Sequence, residues 1–160
     1  MIYTTFDSPV GELLASADSA GRITGLHFLD GHRLPERAGW VRDERALAPL
    51  RRQLDQYFAG ERRTFELELA LSGSPFQLQV WRALRAIPYG DTASYGEIAA
   101  AAGQPGAARA VGGANNRNPI AIVIPCHRVI GANGTLTGYG GGLPRKQQLL
   151  ALESGALALV

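Results

Sequence analysis

The chain opens with three short apolar, strand-like runs, Ile2–Phe6, Glu12–Ala17 and Ile23–Phe28, and turn-forming residues separate them at 8–11 and 18–21. This spacing predicts a β-meander. Leu47, Leu50, Leu54, Tyr57 and Phe58 then share one face of a helix that Gly60 stops, and Phe65–Leu69 alternates like a half-buried strand. Beyond Leu71–Ser74 the period becomes helical. Ser74 caps a helix with Pro75 at its first position and Phe76, Val80, Trp81, Leu84 and Ile87 on one face, ending at Pro88-Tyr89-Gly90. Ser94 and Glu97 form a capping box for a short helix through Ala102. Gly103-Gln104-Pro105-Gly106 breaks that helix and another starts over Ala107–Ala114, the layout of a helix-turn-helix. Ile120–Ile124 reads as a buried strand, and Pro144–Ser154 as a closing helix. The pattern predicts an α/β unit over residues 1–72 and a mainly helical unit over 73–160.

At 160 residues, 46% apolar and 19% charged, the composition is that of a globular protein and excludes disordered and collagen-like classes. No run approaches the ~20 apolar residues of a membrane span, and Met1–Asp7 lacks a signal-peptide layout, so a soluble cytoplasmic protein is expected. The net charge of +2 conceals an asymmetry: residues 1–72 carry −2 and residues 73–160 carry +4. Lys146 is the only lysine among sixteen basic residues, and arginine suits planar and phosphate recognition. Cys126 is the single cysteine, so no intrachain disulfide can form, and with only His27, His32 and His127 beside it no cysteine-rich zinc site is possible.

Two segments carry unusual chemistry. Ala107–Ala114 has one charge, little bulk and two glycines, each costing about 1 kcal/mol relative to alanine in a helix. Small side chains permit close approach to a neighbouring helix or to a nucleic-acid groove. Pro125-Cys126-His127-Arg128-Val129 follows the buried run and sets an imidazole and a guanidinium beside the thiol. A thiol attacks only as thiolate, and such neighbours promote its ionisation. On an extended segment adjacent side chains face opposite ways, so Cys126 and His127 cooperate only through a bend, which Pro125 allows, or through a water. A third group must orient the imidazole. Of Asp91, Glu97 and Glu153 in this half, Glu97 already caps a helix, while Glu153 sits where a carboxylate opposes the helix dipole. A buried bond to His127 would explain that placement.

Arg109–Ala114, Asn118-Pro119, Ile124-Pro125-Cys126-His127-Arg128-Val129-Ile130, Gly138-Tyr139 and Leu149–Glu153, in this order and spacing, resemble the O6-alkylguanine-DNA alkyltransferase family. The resemblance covers about residues 74–155, and the first unit fits the family's preceding domain in layout. It implies a ribonuclease-H-like α/β domain followed by a winged helix-turn-helix-like alkyltransferase domain. It further implies direct reversal repair, in which Cys126 takes the alkyl group irreversibly from O6-alkylguanine, or O4-alkylthymine, with no cofactor and no metal. The implied partner is double-stranded DNA bearing the lesion, met by a monomer, with cooperative assembly on DNA open. By the same resemblance His127 deprotonates the thiol through a water, Glu153 orients His127, and Asn118 bridges the helix-turn-helix to the reactive segment. Arg109 fills the stack vacated by the flipped base. Tyr95 favours rotation of the target phosphate and helps protonate guanine N3. Ser94, Ala108, Ala110 and Gly112 lie on the DNA-facing surface, the second helix entering the minor groove, while Val129, Tyr139 and Gly140 line the guanine pocket. Asn115 and Asn116 stand where relatives often carry a basic or small residue, Gly140 replaces a serine of some members, Ala121 a proline, and Lys146 follows the usual lysine. Competing readings are a non-catalytic alkyl-lesion binding protein, a helix-turn-helix regulator and a thiol hydrolase.

Overall fold

The computed structural model describes residues 1–31 and 34–155, so His32 and the end of the second unit, 156–160, lie outside the described residues. The expected meander is present as β1 (Ile2–Phe6), β2 (Leu13–Ala17) and β3 (Ile23–Phe28), all antiparallel. A short strand that the pattern did not show, β4 (Val41–Arg42), pairs in parallel with β1 and completes the order β3-β2-β1-β4. The helix α1 (Ala48–Phe58) turns Leu50, Leu54, Tyr57 and Phe58 inward, as their spacing predicts.

Phe65–Leu69 is not a strand. It touches the sheet through a single bridge, where the Ile23 N–H donates to the Glu68 carbonyl and the Ala70 N–H to the Ile23 carbonyl. The Gln53 side chain meanwhile occupies both backbone groups of Glu66, at 3.0 and 2.9 Å. The free edge of β3 is thereby shared between two segments. Further along, the Leu26 N–H donates to the Pro119 carbonyl and the Ala121 N–H to the Leu26 carbonyl, which stitches the second unit onto the first.

In the second unit α2 (Pro75–Arg85), α3 (Tyr95–Ala101) and α4 (Ala108–Asn116) pack on one another, and α5 (Leu143–Glu153) closes the chain. Complete capping boxes start α2 at Ser74 and Gln77 and α3 at Ser94 and Glu97. Gly103, with φ +78°, lets the chain leave α3 through the left-handed region that a side chain would resist. The buried Trp81 indole donates to the Ala114 carbonyl and fixes α2 against α4. A two-stranded parallel sheet pairs β5 (Ala93–Ser94) with β6 (Val129–Ile130), so the strand entering the helix-turn-helix is joined to the one leaving the cysteine segment.

Ile120–Ile124 likewise forms a buried turn and not the strand its apolar run predicts, apart from the one bridge at Ile120. Ile122 has φ +72°, an outlier for a β-branched residue, and the Val123 N–H bonds to the Ala121 carbonyl across it in a γ-turn of the rare positive-φ kind. An apolar run is compatible with any buried conformation. Here the side-chain amide of Asn118 selects the turn, accepting from the Ile120 N–H at 3.0 Å and donating to the Ile124 carbonyl at 2.8 Å. Burial of Ile120, Ile122 and Ile124 holds the strained residue in place.

Both units share one hydrophobic core. Arg145 in the first turn of α5 crosses between them, donating to the Val10 carbonyl at 2.6 Å and to both Asp30 carboxylate oxygens at 2.9 Å, with its guanidinium 4.6 Å from the Phe28 ring centroid. No helix of the described residues is long and apolar enough to cross a membrane.

Asn118→Ala removes both braces of the γ-turn and leaves the Ile120 N–H unpaired in the core, so the free energy of unfolding should fall by about 1–3 kcal/mol. Urea denaturation measures this, and a loss below about 0.5 kcal/mol would mean that the turn does not depend on the amide.

Candidate active site

The γ-turn hands the chain to Pro125, where the Cys126 N–H reaches back to the Ile124 carbonyl at 2.7 Å, and Cys126–Arg128 then form one turn of 3-10 helix. The bend that Pro125 allows is therefore present. Among the described residues no direct hydrogen bond joins the Cys126 thiol to the imidazole. The His127 ring is fully buried, its Nε2 lies 2.7 Å from Glu153 Oε2, and its Nδ1 is buried without a protein partner. The structure thus joins Glu153 to His127, and it keeps Glu97 in its capping box.

Glu153 holds more than the histidine. Arg128 Nε donates to Oε1 at 2.7 Å and Arg128 Nη2 to Oε2 at 3.0 Å, while the Tyr57 hydroxyl, from α1 in the first unit, donates to Oε2 at 2.6 Å. Arg128 Nη1 also reaches the Ile87 carbonyl at 2.7 Å. Burial opposes the Glu153 anion, but the hydrogen bond from His127 and the Arg128 guanidinium outweigh it and hold the carboxyl down to about 2. Burial pushes His127 below its ordinary value, an effect that Glu153 offsets only in part. At neutral pH the ring is neutral and the permanent counter-charge of the carboxylate is Arg128. A neutral ring facing a carboxylate must carry its proton on Nε2, which leaves the Nδ1 lone pair as an acceptor.

Cys126 lines a cavity of about 550 Å³ together with Asn115, Asn118, Tyr139, Gly140 and, from the first unit, Phe28. Burial pushes the thiol up, so it rests protonated, while Asn118, Tyr139 and the Lys146 ammonium favour the thiolate. Tyr139 is half-buried as a residue, but its hydroxyl is sealed against the sulfur, without a hydrogen bond of good distance and angle. Gly141 leaves no room for a larger residue: a Cβ there would stand 2.6 Å from the Phe28 ring and 2.7 Å from that of Tyr139.

Val129 is buried and lies outside the cavity lining. Its carbonyl accepts from the fully buried Lys146 at 2.6 Å, and Lys146 also reaches the Thr137 carbonyl at 3.2 Å. Tyr95 is half-buried, and its hydroxyl meets Thr137 Oγ1 at 2.7 Å, which links α3 to the loop before Tyr139. Arg109 and Ala110 are exposed on α4, whereas Ser94, Ala108 and Gly112 are half-buried. Packing inside the protein demands neither glycine of α4. A Cβ at Gly113 would meet nothing within 4 Å, and one at Gly112 would rest 3.9 Å from the Tyr95 ring.

The sequence pattern marks Tyr57 only as core and gives Arg128 no partner. Asn115 carried no inward role, yet it is buried and its amide donates to the Cys126 carbonyl at 3.3 Å. Its place on the inner face of α4, beside Val111 and Ala114, was the available signal. No group of three metal-ligating side chains stands together among the described residues.

Glu153 and His127 both titrate below their unfolded values, so each contributes stability at neutral pH that is lost on acidification. The unfolding free energy should decline as pH drops beneath the ordinary histidine value of 6.5, and again between 4.5 and about 2. A denaturation series across this range tests it, and a flat profile between pH 5 and 3 would contradict the buried anion.

Comparison with known proteins accords with this geometry. Residues 1–71 match the family model described as 6-O-methylguanine DNA methyltransferase, ribonuclease-like domain, and residues 75–155 match the DNA binding domain of the same family. The chain is 61% identical over 151 residues to the methylated-DNA–protein-cysteine methyltransferase of Mycolicibacterium paratuberculosis, covering 94% of this chain and 91% of that protein. It is 52% identical over 156 residues to the one from Methanosarcina acetivorans, covering 96% and 98%. The crystal structure of Mycobacterium tuberculosis OGT in complex with DNA superposes with a TM-score of 0.91 at 52% identity, covering 98% of this chain and 94% of that one. With both family domains matched in order and relatives above half identity along nearly the whole chain, the protein belongs to the 6-O-methylguanine DNA methyltransferase family.

Proposed function

We propose that the protein repairs O6-alkylguanine in duplex DNA by moving the alkyl group to Cys126, once per molecule. The observation that carries this reading is the thiol on the cavity wall with a neutral imidazole behind it, whose buried Nδ1 has no protein partner and whose Nε2 is tied to a buried carboxylate. His127 Nδ1 takes the thiol proton through a water. The thiolate then attacks the alkyl carbon in line, so that a C–S bond forms as the C–O6 bond breaks and its electron pair returns to the base. A proton from the Tyr95 hydroxyl to guanine N3 neutralises the leaving group. Asn118, Tyr139 and Lys146 favour the thiolate over the thiol, which rests protonated until substrate arrives. A thioether has no water-labile acyl bond, so the product persists and a thiol hydrolase is disfavoured. O4-alkylthymine offers the same electrophilic carbon.

The lesion must leave the stack to reach this wall, at a cost of a few kcal/mol. The exposed Arg109 and the small outer face of α4 suit entry into the minor groove, with Arg109 occupying the vacated place. In the division of labour we propose, residues 73–160 bind DNA and carry the reaction while residues 1–72 brace them. The protein acts on double-stranded DNA as a monomer in this scheme, and no cofactor enters it. We place the protein in the cytoplasm, consistent with its globular composition and its single cysteine.

Intact mass after mixing with a duplex containing O6-methylguanine should show one added methyl group, localised by peptide mapping to Cys126 and absent in Cys126→Ala. A duplex bound without any adduct would overturn the transferase reading. Arg109→Ala should slow repair in duplex DNA far more than attack on the free alkylated base, by about the tenfold or more that a few kcal/mol of uncompensated unstacking implies. Equal losses on both substrates would remove its part in base flipping.

A further inference from the structure

Among the described residues, Tyr57 is the one member of the buried cluster that comes from the first unit. It is fully buried in the last turn of α1, and its ring is held on several sides, with Phe65 at 5.5 Å, Phe58 at 5.4 Å and Tyr89 at 6.2 Å between centroids. Its hydroxyl donates at 2.6 Å to Glu153 Oε2, the same oxygen that receives His127 Nε2 at 2.7 Å. A core position alone would be filled equally well by phenylalanine, which brings no polar atom to bury. The hydroxyl therefore needs a reason, and the shared oxygen supplies one.

Tyr57 and His127 share Oε2 with a third donor, Arg128 Nη2 at 3.0 Å, and the two neutral donors compete for what charge that oxygen retains. Each weakens the pull that the oxygen exerts on the other's proton, so a tyrosine on Oε2 lowers the stabilisation available to a protonated His127. We propose that Tyr57 is a positioning residue for alkyl transfer: bonded to the same Glu153 oxygen as His127, it limits how firmly the imidazole holds a proton. This rests on the function proposed above. The tyrosine stays a donor throughout, because burial and the Glu153 charge push its own ionisation well above the usual value. The other charged and titratable groups bearing on the cluster are Arg128 on the same turn as His127, Lys146 on α5, and Tyr89 after α2, whose ring faces Arg128 at 5.8 Å and Arg63 at 5.3 Å. Arg128 and Lys146 both disfavour an imidazolium, and Tyr57 acts in the same direction without adding charge. The first unit thus reaches the proton acceptor through a hydrogen bond in addition to supporting it by packing.

Tyr57→Phe keeps the ring and removes only the donor, so Glu153 becomes a stronger acceptor toward His127. The midpoint of the His127 titration, followed by nitrogen NMR of the ring in the unreacted protein, should rise by up to about one pH unit, the scale of one hydrogen bond to a charged group. The acid limb of the rate against O6-methylguanine duplex should rise with it, while the rate on the neutral plateau stays within about threefold. An unchanged titration and an unchanged acid limb, with only a lower melting temperature, would show that Tyr57 is packing alone and overturn the proposal. The NMR titration needs no substrate, so it decides the role of Tyr57 even if the wild-type protein transfers no alkyl group, an outcome that would sink the proposed function separately. Phe58→Leu, which perturbs the same wall without touching Glu153, should leave both pH midpoints in place, and a shift there equal to that of Tyr57→Phe would assign the effect to packing.

Discussion

The Glu153 carboxylate is the point at which the architecture converges. It lies in the last turn of α5, where the helix dipole and burial both act against a negative charge, and it is nonetheless held ionised. The reason is saturation: Arg128 takes it with two nitrogens, His127 with one and Tyr57 with its hydroxyl. Such a cluster is costly to assemble and costly to break, since removing Arg128, its one permanent cation, would strand a buried charge at about 3–5 kcal/mol. It joins α1, the cysteine turn and α5 in one arrangement, so the orientation of the imidazole follows from the assembly of both units.

The nucleophile depends on a second constraint, the abrupt path of the chain before it. The γ-turn at Ile122, the tight return at Pro125 and the 3-10 turn that follows bring the thiol to the cavity wall while the imidazole points inward to Glu153. Asn118 holds this path, and its position directly after α4 means that the helix carrying Arg109 and the turn carrying Cys126 share one brace. The β5–β6 pairing adds a second link between the helix-turn-helix and the reactive segment. DNA-facing surface and chemistry are thus fixed to each other by backbone, which suits a protein that must present one sulfur to one extruded base.

Much of this was legible in the sequence. The meander, α1, the N-cap at Ser74, the capping box at Ser94, the glycine break at Gly103 and the amphipathic helices follow local rules whose interactions span few residues, and these elements appear where the pattern puts them. Glu153 could be singled out because so few carboxylates stand in the second half and because its position opposes the dipole. Phe65–Leu69 and Ile120–Ile124 were misread for the same physical reason. Both segments have strand-like composition, yet they compete for the single free edge of β3, each obtains one bridge, and side-chain amides of Gln53 and Asn118 take the remaining backbone groups.

The sequence by itself determined the reagent and its local setting: one cysteine, an adjacent histidine and arginine, a small-surfaced second helix and an excess of positive charge in the half that carries them. The tertiary structure alone decided which partners these groups use. That Tyr57 reaches Glu153, that Asn115 turns inward to the Cys126 carbonyl, and that Arg128 serves as a counter-ion are contacts between residues up to 96 positions apart. Periodicity reports that a side chain is buried. It carries no information about what a polar atom at the end of that side chain will meet, because that is fixed only when separate elements pack and each buried donor must find an acceptor.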